Sequence, residues 1–199
     1  NDLAFAGHPY ARNSGGTLSS IQAITANDLH GYAKNFLTRD RLRITVAGDI
    51  TKAELEKDLD RVFGSLPATG KTVTVADFAV QNPGVTALYQ RDIPQTIILM
   101  SQEGIKRKDP DWHAAQVMNF ILGSSGFGSR LMEEIREKRG LTYGIYTGIS
   151  PLDHVSTLTL ETSTRNEKTA EVLDLVHKEW VRMRDTDVTD KELKDAKDY

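Results

Sequence analysis

Ser129-Arg-Leu-Met-Glu-Glu-Ile-Arg136-Glu-Lys-Arg-Gly140-Leu-Thr-Tyr143-Gly-Ile-Tyr146 sets a charged helix against a strand with a single glycine between them. Gly140 ends the helix, and the β-type run starts at once. If the strand doubles back beside the helix, Arg136, four residues before the turn, and Tyr143, three after it, approach one point. A guanidinium and a phenol converging there are donors suited to a carbonyl oxygen that gains negative charge. From the pattern alone, a solvated helix face with Glu134 and Lys138 at i,i+4, followed by an ordinary strand tyrosine, is the plainer description.

On the downstream side, Leu141–Ile149 and Val155–Thr164 are two β-type runs joined by Ser-Pro-Leu-Asp-His, which predicts a hairpin. Glu167–Asp185 carries Val172, Leu173, Val176, Trp180 and Met183 on one helical face, and so is expected to pack across the sheet. Thr189 and Glu192 have the offset of a capping box, opening a helix that stops early; the chain is accordingly read as a fragment. On the upstream side, Gly123–Ser129 is a flexible loop with Ser129 as a candidate cap. Asp109-Pro110-Asp111 predicts an N-cap and Pro at the first helical position, with a helix to about Leu122. Val85–Arg91 and Thr96–Gln102 are short β-type runs around Asp92-Ile-Pro94.

Earlier still, Leu29, Tyr32, Ala33, Phe36 and Leu37 give Ala26–Leu37 an amphipathic helical pattern. Leu42–Gly48 predicts a strand. Thr51 and Glu54 repeat the capping-box offset ahead of a helix whose apolar stripe is Leu55, Leu59, Val62 and Phe63. The Pro, Gly, Thr and Ala of Pro67–Pro83 have the composition of an interdomain connection.

The composition narrows the function. Of 199 residues, 39% are hydrophobic, enough to bury a core. Lys and Arg number 25 against 28 Asp and Glu, a net charge of −3, so no global basic field recruits nucleic acid. No apolar run approaches the roughly 20 residues that cross a bilayer, and no membrane insertion is expected. The absence of cysteine excludes a disulfide scaffold, a thiolate metal site and a cysteine nucleophile. Histidines at 8, 30, 113, 154 and 177 never fall three or four residues apart, so no metal motif is present. His8, ahead of Pro9, is better explained as a packing or hydrogen-bonding residue. The glycine loop lacks the Lys-Ser/Thr ending of a phosphate-binding loop, and its glycines miss the dinucleotide spacing.

Several segments together resemble one family. They are His8-Pro-Tyr10, Ile24-Thr-Ala-Asn-Asp-Leu29, Val46-Ala-Gly-Asp-Ile50, Phe63-Gly-Ser-Leu-Pro67 and, above all, Ile135-Arg-Glu-Lys-Arg-Gly-Leu-Thr-Tyr143. In this order they are similar to the pitrilysin/insulinase zinc metallopeptidases, a family that includes the mitochondrial processing peptidase and small bacterial members. The resemblance implies an α+β fold, helices packed on mainly antiparallel sheets, in two homologous-type peptidase domains that are both incomplete here. Residues 1–66 would be the C-terminal part of the first, zinc-type domain, 67–84 a linker, and 85–199 most of the second, non-zinc domain. It implies that Arg136 and Tyr143, seven residues apart, are the catalytic contribution of this chain to peptide hydrolysis. Zinc would belong to the full-length protein or a partner chain, because no His-x-x-Glu-His motif occurs in these residues. The implied partners are an extended peptide substrate and a second subunit, in a homodimer or a heterodimer with a zinc-bearing family member. The alternative is a non-catalytic or zinc-less partner subunit with an assembly role. The implied setting is periplasmic or cell-envelope, with mitochondria as the alternative.

Overall fold

The computed structural model describes residues 2–199. They form two compact units, one of Arg12–Val75 and one that joins the residues up to Ala11 to Ala76–Tyr199.

In the first unit, three helices start at threonine caps: α1 (Leu18–Ala23) at Thr17, α2 (Ala26–Phe36) at Thr25 and α3 (Lys52–Phe63) at Thr51. Each is a reciprocal capping box, and at α3 the Glu54 carboxylate accepts from Thr51 N–H at 3.0 Å, as the sequence predicts. The connection after α3 folds back on α2. Arg39 N–H donates to Pro67 O and Lys71 N–H to Asn35 O, both at 2.9 Å, which assigns the first part of the expected linker to this unit. Two expectations fail here. Leu42–Gly48 has no regular secondary structure and pairs with no strand among the described residues, and a strand without a neighbour leaves its ladder unmade. The apolar stripes of α2 and α3 are only half covered: Phe36, Leu55, Leu59 and Phe63 are half-buried, Leu29, Tyr32, Leu37 and Val62 are exposed, and Thr38 is the sole buried residue among those described in this unit.

The second unit holds the sheet. Strands β1 (Gln95–Glu103), β2 (Thr142–Pro151) and β3 (Ser156–Arg165) pair antiparallel in the order β1-β3-β2. This is the α+β architecture that the family resemblance implies. Ile98, Ile145 and Leu160 point to one face and meet Leu122, Leu131, Met132, Ile135, Leu141, Val172 and Val176 in a single core. Helix α5 (Thr169–Asp185) packs there through Val172, Val176, Trp180 and Met183. Leu173, expected on that face, is exposed, and Leu175 takes its place.

Helix α4 (Trp112–Asn119) starts later than predicted. Asp109 caps not the helix but a turn, its Oδ1 accepting from Asp111 N–H at 2.9 Å. The helix then continues as a π-helical turn, Phe120–Ser124. Helix α6 (Asp190–Asp198) begins at Thr189 with the predicted capping box, Glu192 Oε2 accepting from Thr189 N–H at 2.8 Å. Val85–Arg91, predicted as a strand, has no regular secondary structure and no strand partner among the described residues, with Val85, Leu88 and Tyr89 exposed. The opening segment belongs to this unit. His8 is buried, its ring stacked on Phe78 at 4.7 Å, and Gln81 N–H donates to Ala4 O at 2.9 Å.

Candidate functional site

The helix before Gly140 is not a regular α-helix. Ser129 starts it, its Oγ accepting from Met132 N–H at 3.4 Å, but Met132–Glu137 is π-helical. Lys138 N–H reaches back five residues to Glu133 O at 3.0 Å. Leu131, Met132 and Ile135 still reach the core, and Arg136 comes to lie beside the turn. Such wide turns concentrate at functional sites. Gly140, at φ +59°, takes the left-handed conformation that ends the segment, and Leu141 N–H closes it by donating to Ile135 O at 3.0 Å.

Strand β2 begins with a bulge. Thr142 pairs with Thr164 and Ile145 with Thr162, so Tyr143 and Gly144 together face Ser163. Thr142 Oγ1 anchors the irregularity, donating to Ser163 O at 2.7 Å and accepting from Gly144 N–H at 3.2 Å; Thr162 Oγ1 donates to Gly144 O at 2.9 Å. Thr142 and Ile145 both point inward. Tyr143, between them, is turned out and is 86% exposed.

The two named residues meet. Arg136 Cζ lies 5.4 Å from the Tyr143 ring centroid and 4.4 Å from that of Phe127, so the guanidinium contacts both a strand aromatic and the exposed tip of the glycine loop. Phe127 was not visible as a site residue in the sequence, because loop glycines carry no periodicity that aims a side chain. Among the described residues the Arg136 side chain donates only to Glu137 Oε1, at 3.0 Å. The Tyr143 hydroxyl has no partner among them. Most donors of this corner are therefore free for a ligand oxygen, while Glu137 is the resident counter-ion and no bystander. The next charges form their own network: Glu134 accepts from Lys138 at 2.5 Å and Arg139 at 2.8 Å. Those bonds, the one from Lys138 first, hold its carboxyl below the ordinary range.

A second ion pair fixes the start of the same helix. Arg130, buried, donates through Nε and Nη2 to Glu192 Oε1 and Oε2 at 2.6 and 2.9 Å. The Arg130 bond, reinforced by Thr189, draws the Glu192 pKa down to about 2.

The histidines do not assemble. His8 Nδ1 accepts from Tyr10 N–H at 3.3 Å with Nε2 against Ala76 O at 3.1 Å, and His154 Nδ1 faces Asp77 Oδ1 at 3.1 Å. His30, His113 and His177 stand exposed on three different helices. Among the described residues no group of three His, Cys, Asp or Glu side chains is placed to hold a metal ion. These residues do not fit zinc.

Comparison with known proteins places this geometry in context. The family profile "Peptidase M16 inactive domain" matches residues 23–199. The non-peptidase homolog YmxG of Helicobacter pylori is 32% identical over 98% of this chain and 45% of its own. An uncharacterized zinc protease of Mycobacterium leprae is 27% identical over 97% of this chain and 44% of its own. A crystal structure of a peptidase M16 inactive domain from Pseudomonas fluorescens superposes with a TM-score of 0.83 at 31% identity, over 99% of this chain and 48% of that one. The chain thus spans less than half the length of these relatives.

Proposed function

Because the chain belongs to the peptidase M16 family, the pitrilysin/insulinase group, as a peptidase-like domain of the kind termed inactive, we propose that its Arg136–Tyr143 corner binds the carbonyl of an extended peptide beside the bond to be hydrolysed. The observation that carries this reading is the contact of the two residues with their donors left open. The guanidinium lies against two rings, and the phenol stands at a bulge on a side chain that is largely exposed. Donors preset in this way strengthen their hydrogen bonds as the carbonyl oxygen gains charge, at no reorganisation cost. The peptide lies in extended form, presenting backbone carbonyls at regular intervals. Zinc enters the family through relatives named zinc proteases. Since this chain's residues do not fit the ion, its site belongs to a further domain or a partner subunit of the same family, in a homodimer or heterodimer.

The experiment uses the peptidase that carries this chain together with its zinc-bearing domain or subunit. Arg136→Ala and Tyr143→Phe should each lower kcat/KM by about 10²–10³, the cost of one oxyanion donor, with zinc content and melting temperature nearly unchanged. Unchanged kcat/KM in both variants would sink the assignment.

One comparison favours a second reading, a non-catalytic partner with an assembly role: the relative of 32% identity is named a non-peptidase homolog. On that reading both substitutions leave turnover by the partner intact.

A further inference from the structure

The strand that the sequence predicts at Val85–Arg91 and the free edge of β1 belong to one problem. Among the described residues β1 pairs with β3 alone, so its other side presents unpaired backbone over nine residues, Gln95–Glu103. Protection is confined to its ends: Gln95–Gln102 has no Pro, no charged side chain and no bulge in its register with β3, and Ile97 and Leu99 stand exposed on its outer face. Meanwhile Val85–Arg91 is exposed throughout and belongs to no helix or strand, Leu88 and Tyr89 included.

Both ends of the stretch that contains Val85–Arg91 are tied to opposite ends of the sheet. At one end Phe78 N–H donates to His154 O at 2.8 Å, and Asp77 accepts from Lys106 Nζ at 2.8 Å; Gly104 N–H, just past the end of β1, donates to Ser156 O nearby at 2.8 Å. At the other end Asn166 Nδ2 donates to Ile93 O at 3.0 Å while Asn166 Oδ1 accepts from Thr96 Oγ1 at 2.9 Å. The chain between 78 and 93 therefore travels the length of β1 in the opposite direction. It has residues to spare, and its closing link, Asp92-Ile-Pro94, is a hairpin loop of an ordinary length.

We propose that Val85–Arg91 is a detachable fourth strand, a strap that zips antiparallel onto the free edge of β1 and, when released, opens that edge. The three-residue link sets the register. Arg91 faces Gln95, Tyr89 faces Ile97, Leu88 faces Ile98 and Ala87 faces Leu99. This places Leu88 on the core face beside Ile98, which is already buried, and Tyr89 over the exposed Ile97. A slip by one residue turns Leu88 outward and sets Tyr89 against the core, so the hydrophobic pattern selects one register. The anchors at Phe78 and Ile93 hold the strap near its edge, making closure an intramolecular event.

The chain has no cysteine, so a cross-strand pair reports the register directly. In the full chain, Tyr89→Cys with Ile97→Cys should close an intramolecular disulfide under oxidised glutathione, seen by mass as the loss of two hydrogens with no glutathione attached, whereas Leu88→Cys with Ile97→Cys, whose side chains fall on opposite faces, should carry only mixed disulfides with glutathione. Hydrogen exchange on the unmodified chain gives a second readout that needs no variant: the amides of Val85–Arg91 should exchange at least about tenfold more slowly than an unstructured peptide. Equal cross-linking in both pairs, or in neither, together with unprotected amides, would overturn the strap. Protection of β1 that grows with protein concentration would give its edge to a second copy instead. Protection of β1 by an added β-type peptide, with Val85–Arg91 still exchanging freely, would give it to an outside strand.

Discussion

At Arg136 the fold holds a charge in place with aromatic faces more than with counter-charges. Its one carboxylate partner, Glu137, is half exposed, and an exposed ion pair is worth about 1 kcal/mol at most. Glu137→Gln is therefore expected to change kcat/KM by less than about tenfold, while Lys138→Ala, which bonds only to Glu133 and Glu134, serves as the neutral control. Steady-state kinetics on the two variants beside Arg136→Ala separates them. Gly140 is the other single residue on which the corner depends. At φ +59° a β-carbon is strained, so Gly140→Ala should cost about 1–2 kcal/mol in thermal unfolding. The Arg136–Tyr143 juxtaposition was legible in the sequence, since a glycine stop between helix and strand brings positions on either side together. The third partner, Phe127, was not, because its aim depends on a loop conformation.

Among the elements, the π-helical turn Phe120–Ser124 packs against β2 with no tolerance. A β-carbon at Gly123 would lie 2.5 Å from Thr147 Oγ1 and 3.0 Å from Thr147 N. Gly123→Ala is expected to destabilise the chain by about 1–3 kcal/mol, seen as a lower denaturant midpoint. Helix α6 is fastened by Arg130 to Glu192. The Glu192 carboxyl titrates at about 2 in the folded chain against an ordinary 4.5, so its contribution is complete above pH 4.5 and is lost as the pH falls toward 2. Glu192→Gln, which leaves a buried guanidinium without its charge partner, should cost about 3 kcal/mol at neutral pH and flatten the acid limb of the stability curve. Urea midpoints between pH 2 and 7 for both forms test this. Local chemistry made Thr51–Glu54 and Thr189–Glu192 legible, since a capping box is complete within four residues. Leu42–Gly48 misled for the opposite reason: a strand exists only through a neighbour that its own residues do not specify. The π-helical turn at Met132–Glu137 was hidden as well, because Leu131 and Ile135 keep an α-helical offset while the hydrogen bonds move by one residue.

For the whole molecule the two units differ in what holds them. The unit with the sheet buries ten apolar side chains in one core, whereas in Arg12–Val75 only Thr38 is buried among the described residues. Stability follows burial, so amides of α2 and α3 should exchange at least about a hundredfold faster than those of β3 in native-state hydrogen exchange. Comparable protection in both would mean that the apolar stripes of α2 and α3 are covered in solution. The fold class was legible at this scale because the second unit carries its pattern and its partners in the same residues. The expected boundary at 67–84 followed composition, while the contacts share that stretch between the units and bring the opening segment in through His8 and Phe78.

The bulge at Tyr143 and Gly144 separates what the strand must keep from what it can trade. Thr142 and Ile145 are both held inward, one by hydroxyl bonds and the other by the core, so the backbone between them is set before the side chain at 143 is chosen. Position 143 is a socket: evolution or an engineer can exchange the group displayed there, and with it the chemistry of the corner, while the sheet beneath stays as it is.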